Sequence, residues 1–465
     1  MKKSILKFSL ATTLVFGALG VHGYVVKPVE AADSQSHSHH FYDYLITKLV
    51  NEHKIYRNIA HLAKETRVAG TVEEDEAVEF IKREFRNYGY RADIQPFTYV
   101  GYTPPHTIEL QVDGYNEQLN PEYFTYSISG NVNGDIVYGG LGKPEELGDV
   151  TGKIVLIKRG ELSFSEKVLN AGEAGAAGVI IYNNSEGSLN GTLGAHNDQF
   201  VPAISLSKAE GDALLASIEA GEVTEATINI EGASTGEKTS HNVIATKKPT
   251  SKLRDTNDII VIGAHHDSVA GAPGANDDAS GTAMTLELAR VLKLFPTDTE
   301  IRFITFGAEE VGLLGSTHYV NSLPEDERNR IVANFNLDMV GSRDAGNLVL
   351  ATIDGEPNLV TELAQETSSR LNGEATPIRS GGSSDHVPFA EVGIPAALFI
   401  HSPSEPWYHT PDDTIDKISK EKLKDVASIV GTAVYQQAQI DRMIKPRKQQ
   451  EKKVEPQMFL EEDLK

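Results

Sequence analysis

The feature that most constrains the fold is a set of three short apolar runs, rich in β-branched residues, that each stop at a histidine or a carboxylate. Runs of this kind are typical of strands that are buried on both faces of a sheet. The runs, with the metal-capable side chains that follow them, are 259–263 (His265, Asp267), 301–306 (Glu309, Glu310) and 331–337 (Asp338). The sequence therefore predicts that these side chains lie at the ends of buried strands.

The segment between the first two runs favours a helix. Residues 279–294 carry apolar side chains at helical spacing, so that strand and helix alternate, which is the signature of a parallel α/β sheet. Such sheets bind ligands beyond the carboxyl ends of their strands. Because three neighbouring strands deliver metal-capable side chains to that edge, the sequence predicts one site there.

The residue types at that edge suit a pair of divalent ions. The 465-residue chain contains no cysteine, so a transition metal has to be bound by histidine and carboxylate. Two histidines and three carboxylates suffice for two ions if one carboxylate bridges them, and a further carboxylate can then act as a base. The candidates are His265, Asp267, Asp277, Asp278, Glu309, Glu310, Asp338 and His409.

The first 31 residues predict a secretory signal peptide that is cleaved near Ala31. Three lysines precede the apolar run 8–21, and small residues follow it. The run is too short for a membrane anchor, so we expect a secreted protein with no membrane association in its mature form. Removing four lysines and one glutamate with this segment takes the formal net charge from −23 to −26. A surface this acidic argues against nucleic acid as a partner.

Composition divides the rest of the chain. Residues 32–40 are polar and rich in histidine, which predicts a disordered leader. Helical periodicity over 41–64 and 72–88 follows, and from about residue 117 glycine becomes frequent and the elements shorten. The segment 444–465 is almost entirely charged and lacks periodicity, so we expect a solvated tail.

The glycine-rich part of the chain resembles a protease-associated (PA) domain. The motifs that carry this resemblance are GKIVLIKRG at 152–160 and AGEAGAAGVIIYN at 171–183. These motifs are only moderately specific, and an ordinary small α/β lobe is the alternative. The resemblance implies a PA domain over 119–235 that is inserted between two parts of one peptidase domain, 41–118 and 236–443.

The segments around the predicted site resemble the M28 family of two-zinc aminopeptidases. The matching motifs are AHHDS (264–268), PGANDDASG (273–281), FGAEEVGLLGS (306–316), NLDMVG (336–341), SDHVPF (384–389) and YHT (408–410). With the insertion, the chain looks most similar to secreted bacillus-type aminopeptidases. The resemblance implies a three-layer zinc-exopeptidase fold, in which helices flank a mixed, mostly parallel central sheet. It also implies substrates that are peptides or proteins with a free N-terminus.

The resemblance further implies how two zinc ions are bound. One ion would be held by His265 and Asp338, the other by Glu310 and His409, and Asp277 would bridge the two.

The remaining implied roles belong to residues beside the metals. Glu309 would be the general base of a bridging-hydroxide mechanism, and Tyr408 would donate a hydrogen bond to the developing oxyanion. Asp267 would accept from the other ring nitrogen of His265 and so fix its tautomer. His266 stands where relatives often carry an aromatic residue, and we do not expect it to be a ligand. The peptide bond between Asp277 and Asp278 is expected to be cis.

Two other functions are alternatives for this sequence, a carboxypeptidase and a non-enzymatic binding protein. A carboxypeptidase-like relative would need a further helical dimerisation domain, for which the segment after the closing helix is too short. A non-enzymatic binding protein on the same fold would be expected to lack metal ligands, whereas all of them are present here. Asp385 and His386 are interpreted as structural, Arg379 as either a substrate contact or a solvated cation, and Trp407 as a pocket wall or core residue.

Several properties are less constrained by the residues. The preferred first residue of the substrate is either large and apolar or basic. Calcium is a further candidate ligand because the surface is acidic. A monomer is the expected oligomeric state.

Overall fold

A computed structural model of the protein describes residues 32–189 and 191–439. The predicted signal peptide (1–31) and the charged tail (444–465) lie outside the described residues. Among the helices that are described, none combines the length and the apolar composition needed to cross a bilayer.

The described residues contain twelve α-helices and sixteen strands. The helices are α1 (Ala32–Leu49), α2 (Glu52–Leu62), α3 (Val72–Asn87), α4 (Pro144–Leu147), α5 (Phe164–Glu173), α6 (Lys208–Glu219), α7 (Ala279–Leu292), α8 (Leu314–Ser322), α9 (Glu325–Arg328), α10 (Leu359–Asn372), α11 (His386–Glu391) and α12 (Lys420–Ala438). The strands are β1 (Ala92–Thr103), β2 (Thr107–Val112), β3 (Glu122–Thr125), β4 (Gly130–Tyr138), β5 (Ile154–Lys158), β6 (Gly178–Tyr182), β7 (Gly191–Thr192), β8 (Ala203–Leu206), β9 (Glu225–Glu231), β10 (Ser234–Lys247), β11 (Ile259–His265), β12 (Glu300–Phe306), β13 (Ile331–Leu337), β14 (Asn347–Thr352), β15 (Ile378–Ser380) and β16 (Ala396–Ser402).

Eight strands form a central sheet in the order β1-β10-β12-β11-β13-β16-β14-β15. The four middle strands β12, β11, β13 and β16 are parallel, and β10 and β14 pair with them in the antiparallel sense. The three predicted apolar runs are thus adjacent parallel strands, so their carboxyl ends meet at one edge. This confirms the predicted mixed α/β sheet.

The central sheet is covered by helices on both faces. On β11, Ile260 and Ile262 belong to the core cluster that includes residues of α7 and α12, whereas Ile259 and Val261 pack with residues of α8 and α11. This alternation follows from the period of two along a strand, and it explains why the run is apolar throughout. Three layers result, as predicted.

A second sheet has the strand order β2-β9-β4-β5-β6-β8-β3-β7. Its two faces carry separate hydrophobic clusters, one including Leu214 of α6 and the other Val168 of α5. The chain enters and leaves this lobe through β1 and β10, which pair along their length from Ala92↔Ala245 to Thr103↔Ser234. The lobe is therefore an insertion carried on a two-stranded ribbon.

Three predicted boundaries differ from the structure. The predicted helix 41–64 is two helices, because Asn51 interrupts the first and caps the second by accepting from the amide of Lys54. The helix α1 also includes residues 32–40, for which a disordered leader is predicted. These residues contain no Gly or Pro that would end the helix, and the later part of the same helix is packed against the core. The strand β2 pairs with β9, so the second sheet begins before residue 119, the predicted start of the inserted domain. The prediction rests on glycine frequency, which indicates turns and does not indicate which strands pair.

Gly211 in α6 offers a test of the packing in the inserted lobe. A Cβ atom at this position would lie 2.2 Å from Cβ and Cγ of Tyr182, whose side chain is fully buried. Although Ala is the better helix former, we expect Gly211→Ala to lower the free energy of unfolding by about 1–3 kcal/mol through overpacking. Urea unfolding followed by circular dichroism measures this, with Ser217→Ala on the same helix as the control. A Gly211→Ala protein as stable as wild type would contradict the packing.

Candidate metal centre

Each predicted site residue lies at the carboxyl edge of the central sheet. The supporting positions are the end of β11 for His265, the loop after β12 for Glu309 and Glu310, the residue after β13 for Asp338, the loop before α7 for Asp277, and the loop after β16 for Tyr408 and His409. The side chains of His265, Asp277 and Asp338 are 1%, 7% and 9% exposed, so the site lies below the surface.

The first group of ligand-type atoms surrounds His265. Its Nε2 lies 3.1 Å from Oδ1 of Asp277 and 3.7 Å from Oδ1 of Asp338. The other oxygen of Asp338 accepts a hydrogen bond of 2.7 Å from the hydroxyl of Ser384, which orients the carboxylate.

The second group surrounds His409. Its Nε2 lies 3.1 Å from Oδ2 of Asp277 and 3.1 Å from Oε2 of Glu310. The two oxygens of Asp277 therefore face two different histidines, each of which has its own further carboxylate. This is the arrangement that a bridging carboxylate requires.

Asp278 lies near the same atoms but is committed to the backbone. One of its ligand atoms lies within 4.8 Å of those of His265 and Asp338. Its Oδ1 accepts from the amides of Gly281 (2.8 Å) and Met339 (3.3 Å), so the residue caps α7. The peptide bond between Asp277 and Asp278 is cis, as the resemblance implies.

The carboxylates of the site create a negative potential that favours cations. Burial and the neighbouring Asp277 raise the pKa of Glu310 to about 7. Burial opposes protonation of His409, yet Asp277 and Glu310 still raise its pKa to about 10. Oδ1 of Asp338 and Oε1 of Glu310 are buried without a hydrogen-bond partner. Protons and metals compete for such atoms, so the residues present fit two divalent ions.

Asp267 supports both sides of the site. Its two carboxylate oxygens accept from the amides of Glu309 (3.1 Å) and Glu310 (3.2 Å). Nδ1 of His265 lies 3.2 Å from the main-chain oxygen of Asp267 and 3.6 Å from its carboxylate. The carbonyl of Asp267 is therefore the nearer acceptor for the ring nitrogen of His265, and its carboxylate holds the two glutamates through their amides.

Glu309 and Tyr408 flank the ligand groups. Burial raises the pKa of Glu309 well above its ordinary value, with further contributions from Glu310, Asp385 and Asp338, although His265 opposes the rise. The ring of Tyr408 stacks on His409 with centroids 3.8 Å apart, and burial beside the carboxylates raises its pKa, so that it stays protonated and can donate.

Three residues with clear roles were not predicted from the sequence. Ser384 begins the SDHVPF motif, in which only Asp385 and His386 are assigned a role from the sequence, and Asp413 follows the YHT motif by three residues. Arg67 carries no signal in the sequence that sets it apart from other arginines. Its buried guanidinium donates to the carbonyls of Leu62, His266, Pro273 and Gly274, and so joins α2 to the connection between β11 and α7 that carries Asp277.

The other noted residues lie around the centre. Asp385 and His386 are fully buried, and burial raises the pKa of Asp385 to about 7 and lowers that of His386 to about 4. Arg379 donates to the hydroxyl of Ser402 at 2.6 Å, and Lys417 lies 4.9 Å from the ring centroid of Trp407.

His266 points away from the metal-ligand atoms. Its Nδ1 lies 3.1 Å from the hydroxyl of Thr305, and its Nε2 lies 3.6 Å from Oε1 of Glu74.

Comparison with known proteins places these residues in a family. The profile of peptidase family M28 matches residues 242–434, and that of the PA domain matches residues 125–214. Aminopeptidase YwaD of Bacillus subtilis is 38% identical over 428 residues, which cover 88% of this chain and 90% of that protein.

Solved structures agree with this assignment. An aminopeptidase from Aneurinibacillus sp. strain AM-1 is 54% identical with a TM-score of 0.77, covering 85% of this chain and 96% of that chain. The zinc aminopeptidase BSAP of Bacillus subtilis is 38% identical with a TM-score of 0.72, covering 85% of this chain and 97% of that chain.

The raised pKa of Glu310 predicts how pH affects the chelated, metal-free protein. Folded Glu310 holds its proton up to about pH 7, whereas the unfolded chain releases it near the ordinary glutamate pKa of 4.5. The folded state thus binds more protons between these values, and the free energy of unfolding falls as pH rises through them. We expect the melting temperature of metal-free protein to fall from pH 5 to pH 8 and Glu310→Gln to reduce that fall, as measured by differential scanning fluorimetry.

The matched control for this experiment is Glu325→Gln, a change at an exposed glutamate. A metal-free Glu310→Gln protein with the same pH dependence as wild type would contradict the electrostatic argument.

Proposed function

Because the chain belongs to peptidase family M28, we propose that it is a secreted aminopeptidase that uses two zinc ions, with Glu309 as general base. That it is a zinc aminopeptidase follows from its similarity, along almost its whole length, to enzymes of that class. The number of ions, the residue roles and the destination are the parts that we propose.

The observation that carries the proposal is the placement of Asp277 between two histidines. Each of its oxygens lies 3.1 Å from one imidazole nitrogen, and each of those nitrogens faces one further carboxylate. We assign His265 and Asp338 to one zinc, His409 and Glu310 to the other, and Asp277 to both. Histidine and carboxylate are suitable zinc ligands, and this set leaves room for water and substrate.

When bound, the zinc ions would polarise the scissile carbonyl and lower the pKa of an attacking water. The residues of the chain do the rest. Glu309, buried and close to these carboxylates, takes the proton of the water and later delivers it to the leaving amine. Tyr408 remains protonated and donates to the oxyanion that develops. Asp267 holds Glu309 and Glu310 in place through their amides.

The substrates that we propose are peptides or proteins with a free N-terminus. The support for a free N-terminus is that the similar proteins that cover most of this chain are aminopeptidases. The same similarity argues against the carboxypeptidase alternative.

Exchange of Glu309 tests its role as base. We expect Glu309→Gln to retain two zinc ions per chain and to lose about 10²-fold or more in kcat, because it can no longer accept a proton. Release of p-nitroaniline from aminoacyl substrates measures the rate, and elemental analysis measures zinc. The matched variant is Glu310→Gln, which should lose zinc. Full activity of Glu309→Gln, or equal cleavage of N-acetylated substrates by wild type, would overturn the proposal.

Removal of one hydroxyl tests the proposed oxyanion donor. We expect Tyr408→Phe to keep the ring stacked on His409 and to lower kcat by about 10²-fold, with a smaller change in KM, because the bond forms only as charge develops. Steady-state kinetics with an aminoacyl p-nitroanilide separates the two constants. A rise in KM with kcat unchanged would instead indicate that Tyr408 binds the ground state.

A further inference from the structure

Asp413 accepts hydrogen bonds from three consecutive backbone amides of the loop that carries Asp277. The amides of Asn276 and Asp277 donate to its Oδ1 (2.9 Å) and Oδ2 (3.0 Å), and the amide of Ala275 donates to its main-chain oxygen (3.1 Å). The residue is fully buried. Both of its carboxylate oxygens therefore accept from backbone amides, and they join the loop of Asp277 to a segment that is far away in sequence.

The same residue closes the turn that carries His409. The amide of Asp413 donates to the carbonyl of Thr410 (3.1 Å), and the amide of Thr410 donates to that of Trp407 (3.0 Å). His409 itself has a φ of 59°, in the left-handed region. A short, internally bonded segment thus joins the anchor of Asp277 to the histidine that faces it.

A second tether lies on the other side of His409. Glu405 is buried, and its Oε1 accepts from the side-chain amide of Asn276 at 2.7 Å. The segment 405–413 is therefore attached at both its ends to the segment 275–277.

The two ligand groups differ in how far they depend on these tethers. His265 ends β11 and Asp338 follows β13, and these strands are held by their own ladder of hydrogen bonds. His409 lies on a loop, and its distance of 3.1 Å to Oδ2 of Asp277 depends on the contacts of Asp413 and Glu405.

We propose that Asp413 is a positioning residue that holds the turn of His409 in register with the bridging carboxylate of Asp277, and so sets the affinity of the second of the two zinc sites. The inference rests on the proposed two-zinc function. Asp413 touches neither metal nor substrate in this arrangement; it acts through the backbone of the loop that it fixes. Glu405 assists it from the other end of the segment.

The test is Asp413→Asn. The asparagine keeps one acceptor oxygen, and its amide NH2 group then faces a backbone N–H to which it cannot bond. The control is Asp412→Asn at the exposed neighbouring position. Titration with a competing chelator gives the two zinc dissociation constants of each protein. We expect one constant to rise by about 10- to 100-fold in Asp413→Asn while the other changes little, as for loss of other residues that orient metal ligands. Added zinc should restore kcat, with KM unchanged.

A double variant identifies the affected site. In a His409→Gln background only the zinc at His265 and Asp338 is left, and Asp413→Asn should not weaken it further. Equal weakening of both sites, or the same weakening in the His409→Gln background, would overturn the inference because it indicates a general loss of structure.

Substitutions of Glu405 provide a second test in case Asp413→Asn does not fold. Glu405→Leu removes the acceptor of Asn276, whereas Glu405→Gln retains one, so the first should weaken the same zinc more than the second. Equal zinc affinities in these two variants would count against the tether. A wild-type protein that binds fewer than two zinc ions would overturn the proposed function and this inference together, whereas two tight sites in Asp413→Asn would overturn the inference alone.

Discussion

The mutual repulsion of buried carboxylates is the constraint on which the rest of the structure depends. Asp277, Asp338 and Glu310 converge with little exposure to water at one edge of the sheet. Unpaired, such charges are expensive to bury. The fold tolerates them because histidines and backbone amides share the neutralisation, to which the proposed zinc ions would add.

Backbone amides do much of this work. Asp267, Asp278 and Asp413 each accept from two or more main-chain N–H groups in the loops around the site. Each carboxylate therefore both shapes a loop and is stabilised by it. Arg67 acts in the opposite sense, since its guanidinium donates to three carbonyls of the single connection between β11 and α7. The loops that carry the proposed ligands are thus held largely through their main-chain atoms.

The division between what the sequence predicted and what it missed follows from this. The strands that lead to His265, Glu309 and Asp338 are visible in the sequence as apolar runs, because a parallel sheet buries both faces. Asp413 and Arg67 act on backbone atoms brought together only by the fold, so no periodicity reveals them. The break at Asn51 depends on one side chain capping a helix, which a pattern averaged over several turns does not resolve. The partner of β2 is a strand more than a hundred residues later, and glycine content says nothing about it.

The two-stranded ribbon of β1 and β10 has a consequence for the order of folding. The strand β10 lies between β1 and β12 in the central sheet, yet residues 104–233 separate it from β1 along the chain. Closing a flexible loop of that length costs conformational entropy, and the cost falls when the intervening chain has already condensed and brought its ends together. The inserted lobe, with its own two hydrophobic clusters, can form first and present Thr103 beside Ser234. The lobe would then act as an internal template for the peptidase sheet, and a defect confined to the lobe would delay assembly of the β1 edge of the central sheet.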